Sequence, residues 1–148
     1  MTRVDFAFNA ADRIDQAALS TLRHVARGAR VFVYCDEAAR LDQFSQRLWS
    51  LNDAAFVPHE RLDQDTDTEH LAVLLVDQAN WPLLAARVKP EDWLLNLDDQ
   101  CPPEATLFSR VLEVVSSLDH DKQAARARWR QYQTMGLTLE AHQLKPAH

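Results

Sequence analysis

Glycine is nearly absent from this chain of 148 residues, which contains only Gly28 and Gly136. Each follows a stretch with helical spacing of apolar residues, where a glycine is favoured as the left-handed residue that ends a helix. A phosphate-binding loop needs several glycines, because its backbone must approach the phosphate closely. The sequence has no GxGxxG motif and therefore argues against a dinucleotide site.

Cysteines and long apolar runs are also scarce. The two cysteines, Cys35 and Cys101, form no CxxC pair, and we interpret them as free buried thiols in a reducing compartment. No apolar run approaches the ~20 residues that a membrane helix needs, and acidic residues interrupt the N-terminus where a signal peptide would have its apolar core. We expect a cytoplasmic protein with no membrane contact. At this length, residues 1–148 are most simply one domain with its last few residues frayed.

Apolar runs alternate with helical patterns along the chain. Strands are predicted at 4–9, 29–35, 71–76, 92–97 and 110–115, with a short extended segment at 56–59 and a polar loop at 60–70. Helices are predicted between most of these strands, and the last runs from about Asp119 to Met135. Strands separated by helices indicate βαβ units, hence an α/β fold with a mostly parallel sheet covered on both faces.

Carboxylates collect at the predicted C-terminal ends of the strands, at Asp36, Asp77, Asp98 and Asp99. Ligands of doubly wound sheets bind at that edge, and Mg²⁺ prefers such oxygen ligands. Caps of helices and polar turns explain the same residues, and no lysine or hydroxyl side chain stands at a matching strand end. A small Mg-dependent phosphoryl-transfer or hydrolytic enzyme using Asp36, Asp77 and Asp98 is therefore the alternative function.

Other metal patterns fail. Asp63, Asp65 and Asp67 imitate the first ligands of a calcium loop, but Thr68 and Leu74 occupy the positions that need glycine and glutamate. The six histidines show no metal-ligand spacing. We expect neither a metal nor a cofactor.

The segment from Lys122 to Gly136 reverses the charge of a chain whose formal net charge is −6. On a helix, positions 122, 126, 129, 130 and 133 share one face. Lys122, Arg126 and Arg130 then surround Trp129, with no carboxylate in the segment to neutralise them. This face suits a small anionic ligand with an apolar anchor, whereas the pI near 5.4 argues against broad binding to a nucleic-acid backbone. A solvated helix with Trp129 packed inward is the alternative.

Four segments resemble the chi subunit family of bacterial DNA polymerase III holoenzyme. They are RLW (47–49), FVPH (56–59), LEVV (112–115) and the motif KQ-x-AR-x-R-W/Y-x-x-Y-x-x-x-G (122–136), and they occur in order over nearly the whole chain. The resemblance implies a three-layer α/β/α, Rossmann-like fold without a nucleotide-binding loop. It also implies a non-catalytic accessory subunit of the clamp-loader assembly in DNA replication.

The resemblance further implies two partners. One is the psi subunit, for which Phe56, Val57 and Pro58 are candidate contacts, with core packing as the alternative for each. The other is the acidic C-terminal tail of the single-stranded-DNA-binding protein, which ends in phenylalanine. Binding that tail would associate the chain indirectly with single-stranded DNA.

The tail contacts are assigned by position within that resemblance. Cations would hold the carboxylates of the tail, and apolar side chains would form a pocket for its phenylalanine ring. Arg126 ranks first, because a guanidinium clamps a carboxylate through two parallel hydrogen bonds. The six residues are Lys122, Arg126, Trp129, Arg130, Trp49 and Leu118.

Overall fold

Seven strands form one sheet in the structure, a computed structural model that describes residues 2–51 and 57–144. The strands are β1 (Arg3–Ala10), β2 (Val31–Tyr34), β3 (His59–Arg61), β4 (Val73–Val76), β5 (Trp93–Asn96), β6 (Arg110–Ser116) and β7 (Thr138–Gln143). All neighbours pair in parallel, in the order β3-β4-β2-β5-β6-β1-β7. The helices of the same ranges are α1 (Arg13–Ala26), α2 (Ala38–Leu51), α3 (Asp119–Thr134) and short 3₁₀ segments at Thr68–His70, Trp81–Ala86 and Ala105–Leu107.

Both faces of the sheet are covered. Because side chains alternate along a strand, Val31 and Val33 of β2 face α1 and α2, while Phe32 and Tyr34 face the layer that holds α3. All four are buried, as expected for a parallel sheet between two helical layers. The predicted three-layer α/β/α architecture is thereby confirmed.

The two glycines end helices, as their scarcity and spacing predict. Gly28 has a φ of 90° and follows α1, and Gly136 has a φ of 77° and follows α3. A side chain is strained in this left-handed region, which explains why glycine occupies these positions. Neither glycine contributes to a phosphate-binding loop.

The short helix predicted between β4 and β5 is present as a 3₁₀ helix, with Pro82 at its start. Two other elements differ from their predictions. The predicted loop at 60–70 contains part of β3, and Leu62 within it is only 1% exposed. No strand was predicted at β7, because four of its six residues are polar and most of them are exposed. In the described ranges, no helix is both long and apolar enough to cross a bilayer.

Candidate partner-binding groove

The inner side of α3 is fixed by a buried polar network around Glu113 of β6. Its carboxylate accepts hydrogen bonds from Arg128 Nε at 3.0 Å, Tyr132 Oη at 2.7 Å and Asn96 Nδ2 at 2.8 Å. Glu113 and Tyr132 are fully buried and Arg128 is 3% exposed. Burial and the Glu113 charge hold the pKa of Tyr132 well above its ordinary value, so the phenol remains a donor. The charges compensate each other, as buried charges must.

This network sets the rotation of α3. Ala125, Arg128 and Tyr132 lie on its inward side at spacings of three and four residues, and all are buried. The other side of the helix, with Arg126 and Arg130, is consequently exposed. Arg128 therefore differs from the other cations of the basic segment, because it belongs to the core.

Trp129 lies at the boundary between these two sides. Its indole packs against Phe6 of β1 with ring centroids 5.0 Å apart, and it is partly buried. The same side chain lines a cavity that opens to the surface. Both interpretations of Trp129, inward packing and exposure to a ligand, thus hold in part. One part of the indole packs on β1 and anchors α3, and another part lines the cavity.

Two adjoining cavities lie between α3 and the β1–β7 edge, and together they form what we call the basic groove. The first has a volume of ≈ 380 Å³ and the second of ≈ 260 Å³. The first is lined by Phe8, Ala125, Arg126, Trp129, Arg130 and Ala141. The second is lined by Phe8, Asn9, Ser116, Lys122, Arg126 and Gln143. Phe8 and Arg126 border both cavities and join them.

The cations of the basic groove are not neutralised by any residue that the structure describes. Lys122, Arg126 and Arg130 are exposed, and their side chains form no hydrogen bond or ion pair with any residue in 2–51 or 57–144. Arg40, by contrast, is paired with Asp99 at 3.1 Å. Three unpaired cations beside an apolar wall leave a surface that attracts anionic groups.

The structure does not bring Trp49 into the basic groove. Trp49 lies on α2, is 48% exposed, and has its ring centroid 5.1 Å from that of His59 on β3. β3 and β1 are separated by five strand spacings, or roughly 24 Å. Trp49 and Trp129 therefore belong to different surfaces.

Leu118 lies just before α3 and is 54% exposed. It lines a third cavity of ≈ 180 Å³ with Arg13, Arg40 and Asp121, rather than the basic groove. Ser116 borders both this cavity and the groove. Leu118 is thus a neighbour of the groove, not part of its wall.

Two of the three candidate psi contacts, Val57 and Pro58, directly precede His59, whose ring lies beside that of Trp49. Phe56 falls outside the described residues, while Val57 and Pro58 are half-buried. Val57 packs against the core on the α1–α2 face, and its carbonyl accepts a hydrogen bond from His59 Nδ1 at 3.0 Å. Core packing thus accounts for part of the Val57 side chain.

The strand-end carboxylates bind backbone and arginine donors. Asp98 accepts from the Asp36 N–H at 3.0 Å, and Asp77 accepts from the Asn80 N–H at 2.9 Å. Burial raises the pKa of Asp99, but the hydrogen bond and charge of Arg40 outweigh it and hold that pKa below its usual value. In the described part of the chain, no three His, Cys, Asp or Glu side chains are grouped to hold a metal ion.

The cysteines are free thiols. Cys35 is buried and Cys101 is partly buried. Burial raises the pKa of each to about 11, which leaves little thiolate at neutral pH. This environment is that of structural cysteines.

Sequence reasoning missed one wall of the groove. Ala141 and Gln143 come from β7, and Phe8 comes from β1 beside it. The available signal was the alternation of Leu139 and Ala141 with polar neighbours, which is the period of a half-buried strand. That pattern is short and follows the glycine that ends α3, so in the sequence it is hard to distinguish from an irregular segment after the last helix.

Comparison with known proteins identifies the family. The profile described as "DNA polymerase III chi subunit, HolC" matches residues 1–140. A Pseudomonas aeruginosa protein named DNA polymerase III subunit chi is 31% identical over 148 residues, covering 97% of this chain and 98% of the relative. Proteins of the same name from Haemophilus influenzae and Escherichia coli are 26% and 28% identical over 112 residues, which is 76% of this chain and 74% and 72% of the relatives. The resemblance in the four sequence segments is confirmed, and the chain belongs to the DNA polymerase III chi subunit family.

Proposed function

We propose that this protein is a non-catalytic accessory subunit of the DNA polymerase III clamp-loader assembly, which binds the psi subunit and the acidic C-terminal tail of the single-stranded-DNA-binding protein. The observation that carries the tail interaction is the basic groove, in which three unpaired cations surround an apolar wall. Such a tail offers aspartates, a terminal carboxylate and a phenylalanine ring. Each of these groups has a complementary feature in the groove.

Arg126 is the central residue of this proposal. It borders both cavities, so one guanidinium reaches a ligand in either of them. The terminal carboxylate binds Arg126 through two parallel hydrogen bonds, while Trp129 and Phe8 contact the phenylalanine ring of the tail. Lys122 and Arg130 attract the remaining carboxylates, and this attraction weakens with salt.

The absence of catalysis is proposed on the chemistry of the candidate groups. Asp77 and Asp98 accept hydrogen bonds from backbone N–H groups, as turn and loop caps do. The raised pKa of Cys35 disfavours a nucleophilic thiolate. These observations support an adaptor over the alternative Mg-dependent enzyme.

The psi subunit is proposed to bind at the surface that carries Val57 and Pro58, while Phe56, the third candidate contact, lies outside the described residues. Trp49 extends this surface, because its exposed indole lies beside His59. Exposed large apolar side chains on a folded protein mark interaction sites. This surface lies far from the basic groove, so both partners bind at once.

The test is a titration of the protein with an acidic peptide that ends in phenylalanine, followed by calorimetry. We expect saturable binding with one site, which weakens as salt is raised from 50 to 500 mM, roughly a threefold decrease in Debye length. A matched peptide with alanine in place of the terminal phenylalanine is the control and should bind at least tenfold more weakly. Equal binding of the two peptides would contradict the proposed pocket.

A further inference from the structure

The outer edge of β7 is not paired with any strand in the described ranges. β7 pairs in parallel with β1 alone, and the N–H groups of Thr138 and Leu144 donate to the carbonyls of Thr2 and Phe8 at 3.3 and 2.9 Å. Residues that bond to one neighbour alternate along a strand. The outward-facing N–H and C=O groups are therefore those of Leu139, Ala141 and Gln143.

This edge has one of the features with which proteins usually protect an edge strand, the exposed charge of Glu140, but lacks the others. β7 has six residues and contains no lysine and no proline, and its register with β1 is continuous, without a bulge. The other edge strand, β3, is only three residues long and carries Glu60 and Arg61. Of the two edges, β7 is thus the better template for an added strand.

The outward-facing residues of β7 also border the basic groove. Ala141 lines its first cavity and Gln143 its second. The small side chain of Ala141 leaves the groove open toward the edge. The cations of α3 lie on the same side of the sheet, so a segment on the edge of β7 lies within their reach.

We propose that the acidic tail binds as an eighth strand on the edge of β7, with its backbone bonded to Leu139, Ala141 and Gln143 and alternate side chains entering the basic groove. This inference rests on the proposed function and adds the binding mode. Side chains two residues apart on a strand are about 6.6 Å apart, which allows successive ones to enter the two joined cavities. The phenylalanine ring lies against Trp129, and an aspartate lies near Lys122.

Charge complementarity favours an acidic peptide over a second copy of this chain at the β7 edge. The three groove cations form no pair within residues 2–51 and 57–144, and an acidic strand neutralises them. A second copy of this chain, paired edge to edge, would instead bring two sets of unpaired cations together, which costs free energy. Backbone pairing gives an extended peptide affinity, and the groove gives it specificity.

The test is amide hydrogen exchange by NMR on the full chain, with and without a saturating acidic peptide that ends in phenylalanine. Exchange at Leu139, Ala141 and Gln143 should slow more than tenfold on binding. The N–H groups of Glu140 and His142, which face β1, are internal controls and should change less than twofold. Single N-methylation along the peptide should weaken binding at alternate positions only.

Three outcomes overturn the inference in different ways. If the peptide binds and depends on Arg126, but the outward amides exchange unchanged, strand addition is wrong and the proposed function stands. If the peptide does not bind at all, the proposed function is wrong, and the inference of strand addition is wrong with it. If ultracentrifugation shows a dimer whose outward amides are protected without peptide, a second copy occupies the edge.

Discussion

Arg128 donates a hydrogen bond from Nε to Oε1 of Glu113 at 3.0 Å, inside the protein and out of contact with solvent. Arg126, two residues earlier on the same helix, is exposed and has no such partner in the described ranges. One basic segment thus serves two purposes. Its inward cation holds α3 in place, and its outward cations form the edge of the groove.

Replacing Arg126 should affect binding and not folding. Arg126→Ala removes the guanidinium that borders both cavities, and we expect more than a tenfold loss of affinity for the acidic peptide, measured by calorimetry. The thermal midpoint should stay within about 1 °C, because exposed substitutions change stability little. Arg23→Ala, an exposed arginine on α1, is the matched control and should bind as wild type does. Wild-type affinity in Arg126→Ala would rule out the proposed clamp.

Replacing Trp49 and replacing Trp129 should have different effects on peptide binding. Trp49→Ala should leave peptide affinity within twofold of wild type, because Trp49 lies beside β3 and far from the groove. Trp129→Ala should lower the affinity at least tenfold and also lower the free energy of unfolding, since the indole packs on Phe6. Peptide titrations of both variants measure the affinities, and urea unfolding measures their free energies of unfolding. A tenfold loss in Trp49→Ala would show that the tail reaches the other surface.

Removing the charge of Glu113 should destabilise the fold. Glu113→Gln leaves Arg128 buried without a counterion, and we expect a loss of about 3–5 kcal/mol in the free energy of unfolding. Urea denaturation measures it. Glu91→Gln, at an exposed carboxylate, is the control and should change stability by less than about 0.5 kcal/mol. A Glu113→Gln variant as stable as the control would show that the network contributes little.

The acid dependence of stability should involve Asp5. Burial raises the pKa of Asp5, but hydrogen bonds from His142 and Arg3 and the charges of Arg3 and Arg110 outweigh it, so the pKa in the folded state is lowered. A lowered pKa contributes stability that is present above the unfolded value of about 3.9 and is lost as the pH falls through the folded value. Unfolding of Asp5→Asn at pH 7 and pH 3 should therefore differ less than that of wild type.

The exposed Asp65 provides the control for that measurement. Asp65→Asn should retain the full wild-type difference between the two pH values, because its side chain has no comparable partners among the described residues. If Asp5→Asn lost as much stability on acidification as wild type, the pairing of Asp5 would not contribute.

Much of the fold could be predicted because buried parallel strands have a strong signal. The runs at 29–35 and 71–76 are almost wholly apolar, and they contain β2 and β4. β7 could not be predicted in this way, since an edge strand on the surface needs few apolar residues and only Leu139 and Ala141 mark it. The wall that β7 provides was therefore missing from the predicted site.

The outward cations could be predicted from helical spacing, but the role of Arg128 could not. Glu113 stands in an apolar strand and Arg128 lies on the stripe of Ala125 and Tyr132, which together signal a buried ion pair. Recognising the pair needs the knowledge that α3 packs on β6, which only the tertiary structure provides. Trp49 illustrates the same limit, because the sequence does not give the order of the strands and hence the distance between Trp49 and Trp129.

The position of β1 in the sheet has a consequence for synthesis. β1 lies between β6 and β7, so the first strand of the sheet along the chain pairs with the two strands that are synthesised after all its others. Phe8 of β1 and Ala141 of β7 both line the first cavity of the groove, which is therefore incomplete until β7 has paired with β1. The groove accordingly cannot form on a nascent chain before β7 has been synthesised.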